Sequence, residues 1–146
     1  AVILFDTGLR LGEALRLTKG EVDFTTNLLT VWSDATKGEK TRSVPMTARV
    51  CALLEHRTLP LAFKDEHEVE RIWTRFKKKQ GITDGGWVIH AMRHTFASRL
   101  VQRGIDLYSV KELLGHSTIT VTERYAHLNP AKLQAAVAVL EQSDIV

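Results

Sequence analysis

The sequence predicts a mainly α-helical domain carrying one small antiparallel β-hairpin or sheet. Three observations support this. Apolar residues recur at helical spacing over most of the chain beyond Thr47. A single β-branched and aromatic stretch lies around Thr30. Gly, Pro and Asn punctuate the pattern where elements should end. With 146 residues, 44% of them apolar and 25% charged, the chain can build one domain with a core and is too apolar for disorder.

The opening "AVILFDTGLRLGEALRLT" reads as two helices joined at Thr7-Gly8. Leu11 and Leu15, with Val22 and Phe24, give the second an apolar side, and Arg10 and Glu13, three apart, share another face. "LLTVWS" has strand character, "DATKGEKTR" supplies turn chemistry, and "SVPM" reads as a returning strand with its proline at the edge. The tip of this hairpin then carries Lys37, Lys40 and Arg42.

"TARVCALLEHR" is an amphipathic helix with Val50, Leu53 and Leu54 in spacing, ended by Leu59-Pro60. In "DEHEVERIWTRFKKKQG", acids lead, bases trail and Gly81 stops the helix, with Val69, Ile72, Trp73 and Phe76 expected inward. "IHAMRHTFASRLVQRG" follows, with Met92, Phe96 and Leu100 on its core side and Gly104 as its stop. "DLYSVKELLG" is capped by Asp106 and closed by Gly115, with Tyr108 read as core. "HSTITVTERYAH" is a further helix capped by Ser117 or Thr120, the latter with Glu123 at capping-box spacing. Asn129-Pro130 begins a last helix with a broad apolar face of Leu133, Ala136, Val137 and Leu140.

Composition narrows the function classes. Twenty Lys and Arg against 17 Asp and Glu leave a net charge of +3, which permits a nucleic-acid partner without requiring one. The single cysteine, Cys51, excludes an internal disulfide and a cysteine-based zinc site, reads as core packing, and suits a reducing cytoplasm. No apolar run approaches the roughly 20 residues of a membrane span, and "AVILF" is too short for a signal sequence. The chain starts without Met and in mid-helix, so a fragment of a longer protein is expected.

Several polar residues are not explained by packing: Arg10 at a Gly turn, Lys37 on the hairpin, His90 and Arg93 three apart on one helical face, His116 after a helix-ending Gly, and Tyr125 nine residues on. As a set they suit a phosphodiester better than a neutral substrate. Attack on phosphorus builds negative charge on the non-bridging oxygens, and paired guanidiniums match those oxygens bidentately while staying charged. A tyrosine nucleophile has a pKa of about 10, so neighbouring cations should favour its phenolate and a histidine should take its proton. A lysine surrounded by cations suits protonation of the leaving alkoxide.

Taken singly, each residue has an ordinary reading. Arg10 is a surface ion-pair partner, and Lys37, Lys40 and Arg42 are solvated loop charges. Tyr125, on one face with Val121 and Leu128, is half-buried packing. His90 and His94 have the i,i+4 spacing of a metal-binding helix, but no Glu follows His90 and no third ligand is evident, so His94 reads as a hydrogen-bonded packing residue. The residues alone leave Tyr125 open between core and nucleophile.

The order of the boxes supplies more. "TGLRLGEALRL", "TKGEKTRSVPM", "HAMRHTFASRLVQRG" and "LLGHSTITVTERYAH" resemble, in sequence and spacing, the signature boxes of the tyrosine recombinases, the phage integrase family. The resemblance runs over nearly the whole chain and implies the catalytic fold of that family, with residues 1–146 an N-terminally truncated catalytic domain that lacks the separate N-terminal DNA-binding domains. It implies a site-specific recombinase or integrase that cleaves and rejoins DNA through a 3′-phosphotyrosyl intermediate. By this resemblance Arg10 and Arg93 are the clamp arginines and Glu13 helps organise the site. Lys37 protonates the departing 5′ oxygen, His90 is the general base or proton-handling group, His116 hydrogen-bonds the scissile phosphate, and Tyr125 attacks it. Lys40 and Arg42 are the candidates for DNA contact.

One phosphoester replaces another, so no ATP, metal or other cofactor is implied. The implied partners are double-stranded DNA, sister protomers in a tetrameric synapse, and accessory DNA-bending and excision factors, all in the bacterial nucleoid. The last helix either docks on a neighbouring protomer or packs in cis. A type IB topoisomerase uses nearly the same residues to nick and reseal one strand, and an inactive DNA-binding remnant is the third reading. The six filled catalytic positions argue against decay, and the "HSTITVTERYAH" wording leans towards phage and island integrases.

Overall fold

The computed structural model describes residues 1–32, 41–128 and 138. Helix α1 (Val2–Thr7) ends at Gly8, whose φ of 65° lets its N–H reach back to the Leu4 carbonyl. Helix α2 (Leu11–Arg16) is shorter than expected: Val22 leaves it to form strand β1 (Val22–Asp23) beyond a 3₁₀ turn at Lys19–Glu21. Strand β2 (Leu28–Val31) pairs antiparallel with both β1 and β3 (Arg42–Pro45), in register Val22 with Leu29 and Leu29 with Val44. The expected hairpin is therefore the larger part of a three-stranded sheet. Its loop, with Lys37 and Lys40, lies outside the described residues, as does the expected last helix apart from Ala138.

Helix α3 (Ala48–Glu55) buries Val50 and Leu54 at i,i+4, as its spacing predicts. Thr47 precedes it and turns its hydroxyl to buried Asp6, which also binds Arg49 and so ties α3 to α1. Helix α4 (Glu66–Lys79) is capped by Asp65, whose carboxylate accepts the Glu68 N–H. Its apolar stripe is not inward as expected. Ile72 and Phe76 are 45% and 44% exposed, and only Val69 and Trp73 reach the core edge, because α4 meets the body mainly at α2.

Helix α5 (Ala91–Gln102) is the spine: Met92 joins the core of α1, α2, α3 and the sheet, while Ala97 and Val101 join a second cluster. The expected inward face, Met92, Phe96 and Leu100, is rotated, and Phe96 and Leu100 are only half-buried. Helix α6 (Leu107–Leu114) is capped by Asp106, closed by Gly115 at φ 68°, and buries Val110 and Leu114. Tyr108, read as core, is 68% exposed, because it sits about 100° round the helix from Leu107. Helix α7 (Thr120–Glu123) is a single turn without the expected Thr120 cap, and Ala126–Leu128 continues as a 3₁₀ turn. Tyr125 lies between them at 5% exposure, completing the second cluster. Among the described residues no helix is long and apolar enough to cross a membrane.

Candidate active site

Four pieces of chain converge at the seam between the two clusters. Arg10, His90, Arg93, His94, His116, Ser117, Val121, Arg124 and Tyr125 line one cleft of about 310 Å³. Five of the six residues expected to be catalytic are among them, and the sixth, Lys37, lies outside the described residues.

Each wall has a local cause. Thr7 is fully buried, donating its hydroxyl to the Ile3 carbonyl at 2.6 Å and accepting the Leu9 N–H, which fixes the corner after α1. Gly8 turns the chain there, and Arg10 arrives extended, at φ −69° and ψ 154°, as the N-cap of α2. Glu13, three residues into the helix, reaches back to accept the Arg10 N–H at 2.7 Å and contacts its guanidinium at 3.2 Å.

Behind Glu13 stands Arg42. Expected as a solvated, DNA-contacting charge at the hairpin tip, it is instead in β3 and 9% exposed. Its guanidinium takes both Glu13 oxygens, at 3.0 and 2.8 Å, and its Nε donates to the Leu113 carbonyl at 2.9 Å. The cause is register: Arg42 pairs with Val31, so its side chain joins Val44 on the buried face of the sheet. Gly115 is required beside it, since a Cβ there would stand 2.7 Å from Arg42 Nη1.

Arg93 is buried on α5 and donates to the Gly8 carbonyl and to the Leu114 carbonyl, both at 2.6 Å. One guanidinium thus joins the end of α1 to the end of α6 at the floor of the cleft. His116 follows Gly115 and shares a 2.9 Å hydrogen bond, through Nδ1, with the hydroxyl of fully buried Thr122. His90 caps α5 and sets its ring edge-on against His94, with centroids 4.8 Å apart.

Two residues of the cleft were given no place in the site by the sequence. Arg124 precedes Tyr125 and lines the cleft. His94, read as packing, holds Nδ1 2.5 Å from the Tyr125 hydroxyl. The i,i+4 repeat of His90 and His94 was the available signal. Among the described residues no three His, Cys, Asp or Glu side chains are grouped to hold a metal.

The cations set the charge states. Burial, then the charges of Arg93, Arg10, Arg124 and Arg42, push His116 down to about 4, so it is neutral near pH 7. Burial and the same kind of positive neighbours lower His90 and His94. Burial also lowers Arg93, to about 10, still a full cation at neutrality. Burial raises the Glu13 carboxyl, but hydrogen bonds and charge from Arg42, then Arg10, outweigh it and leave Glu13 below its ordinary range. Tyr125 departs from expectation: burial raises it more than Arg124 and Arg93 lower it, so the phenol keeps its proton.

The family model described as the phage integrase family matches residues 1–132. Tyrosine recombinase XerD of Neisseria meningitidis is 32% identical over 152 residues, which span 92% of this chain and 51% of that protein. The catalytic domain of bacteriophage HP1 integrase superposes with a TM-score of 0.75 at 32% identity, over 99% of this chain and 82% of that one. The Tn1549 transposon integrase, solved in complex with a circular intermediate DNA, superposes with a TM-score of 0.73 at 25% identity, over 97% of this chain and 56% of that one. The chain spans about half the length of the curated relatives it matches.

Proposed function

The chain belongs to the phage integrase family, and from that premise we propose that it is the catalytic part of a site-specific DNA recombinase that cuts and rejoins strands through Tyr125. One observation carries the reading: Tyr125 shares a cleft with Arg10, Arg93 and His116.

The substrate is double-stranded DNA. Arg10 and Arg93 hold the non-bridging oxygens of the scissile phosphate, where transition-state charge collects. Arg93 directs two of its five N–H groups to backbone, which fixes the orientation of the fork it presents. Glu13 and Arg42 hold Arg10 from behind. With the Thr122 hydroxyl donating to Nδ1, His116 keeps its proton on Nε2 and donates it to a phosphate oxygen. Tyr125 attacks phosphorus, Lys37 protonates the departing 5′ oxygen, and His90 handles protons at the rim. The 3′-phosphotyrosyl link retains the energy of the broken ester, so a 5′-hydroxyl from a second strand completes the exchange without ATP, metal or other cofactor.

The recombinase works at the nucleoid as a tetramer on paired sites, with DNA-bending and excision factors. The apolar tail residues Leu133, Ala136, Val137 and Leu140 have two proposed partners, a neighbouring protomer or their own domain. Sedimentation with and without the residues after Pro130 tests the first, and an unchanged monomer in both refutes it.

The chemistry is tested with duplexes that the protein selects from a randomised pool, nicked next to the cleavage point so that the cut end is lost. An SDS-stable protein–DNA adduct should accumulate, and its peptide should map to Tyr125. No adduct, or an adduct that survives Tyr125→Phe, would overturn the assignment. Relaxation of supercoils without sequence preference would favour a nicking–closing enzyme.

A further inference from the structure

We infer that His94, rather than His90, accepts the proton of Tyr125 as the phenol oxygen attacks phosphorus. The inference rests on the function proposed above and adds a catalytic residue to it.

Geometry carries the choice. His94 Nδ1 is 2.5 Å from Tyr125 Oη, in direct hydrogen-bond contact. The two rings stand with centroids 6.1 Å apart and planes at 50°, so the hydroxyl meets the ring edge. The His90 ring instead packs at 82° against the His94 ring, centroids 4.8 Å apart. Tyr125 is buried and His94 half-buried beside it, so the proton has a protein acceptor at hand.

The step balances. The Oη–H proton moves to His94 Nδ1 and an Oη lone pair forms the bond to phosphorus. The bond from phosphorus to the 5′ oxygen breaks with its electrons on that oxygen, which takes a proton from Lys37. On rejoining, His94 returns its proton to Oη. Nδ1 can accept only if the ring carries its own proton on Nε2. The groups facing His94 are all cationic or neutral: His90 and Arg93 on α5, and Arg124 beside Tyr125. After burial, their charges lower its proton affinity. His94 is therefore neutral and able to accept near pH 7, and its imidazolium is short-lived.

The test separates base, acid and scaffold. His94→Asn keeps an oxygen near the Nδ1 position that accepts the Tyr125 hydrogen bond but has no basicity. Single-turnover adduct formation by this variant, on the selected duplex, should fall about 10²–10⁴-fold. It should fall equally on a duplex whose leaving 5′ oxygen is replaced by sulfur, which needs no general acid, whereas that substrate should restore a Lys37→Ala variant. A His94→Asn rate near wild type makes the residue a scaffold and overturns the proposal. Restoration by the sulfur leaving group makes it part of the acid step and overturns it too. If His94→Asn melts well below wild type, His94→Ala with added imidazole replaces it, and rescue that grows with the free-base imidazole concentration is the supporting result; no rescue refutes. A wild-type protein that forms no adduct fails at the proposed function itself, and this inference falls with it.

Discussion

Replacing Arg42 by alanine strands a buried carboxylate. In the wild type Glu13 and Arg42 are each 7% exposed in their side chains and share two hydrogen bonds. Removing one partner of such a pair destabilises by about 3–5 kcal/mol, because the remaining charge is left uncompensated. Arg10, at 3.2 Å, still compensates part of the Glu13 charge, which places the expected loss near the lower end, about 3 kcal/mol, or about 10 °C in melting temperature for a chain of this size. The pH dependence identifies the cause. Wild-type Glu13 is held below its ordinary range, so its contribution is present above the unfolded carboxylate pKa and is lost as pH falls through the folded one. Without Arg42, burial dominates and raises the carboxyl. The variant then regains stability relative to wild type as pH falls through the carboxylate range, and the gap is widest near neutrality. Urea midpoints at about pH 7 and about pH 4.5, with unchanged slopes, measure both quantities. A loss below about 1 kcal/mol near neutrality, the size of an exposed pair, would refute the reasoning, as would a gap of equal size at both pH values.

Other expectations follow from the same geometry. Gly115→Ala forces a side chain into the left-handed region at φ 68° and against Arg42, so thermal melts should show a loss of at least about 2 kcal/mol. Thr122→Val keeps the buried volume but removes the partner of His116 Nδ1; adduct formation should slow about tenfold while DNA affinity holds, as gel shift and single-turnover rates would report. Arg93→Lys keeps a charge but not a fork spanning two carbonyls, and should lower both the urea midpoint, by about 2 kcal/mol, and the cleavage rate. His116, pushed down to about 4, should contribute no inflection to the cleavage pH profile near pH 6.5; an inflection there that disappears in His116→Gln would contradict its assignment.

Elements bounded by local chemistry were legible in the sequence. The Gly8 and Gly115 turns, the Asp106 cap and the Val50–Leu54 face depend on neighbours within a few residues, and each lies where its motif predicts. What depended on long-range placement was not. Arg42 changes from tip charge to buried partner because the ladder starts at Val31, and turn residues alone do not set that register. Tyr108 and the stripe of α4 read as core because periodicity gives a face without saying what covers it. The Tyr125 cations were foreseen, but their sum was not: only the packing of α5 against the segment after α7 shows that burial outweighs them. The same contact turns His94 from a packing residue into the hydrogen-bond partner of Tyr125.

The bonding of Arg93 has a consequence for descent. Its guanidinium fastens two helix ends that no other described side-chain hydrogen bond joins, so a lineage that stopped cutting DNA would still need it to fold. The polar atoms of Tyr125 and His116 each make one side-chain hydrogen bond, to His94 and Thr122, and neither joins two helix ends through backbone carbonyls as Arg93 does. An arginine at this position in a distant sequence therefore testifies to inherited architecture before it testifies to any chemistry.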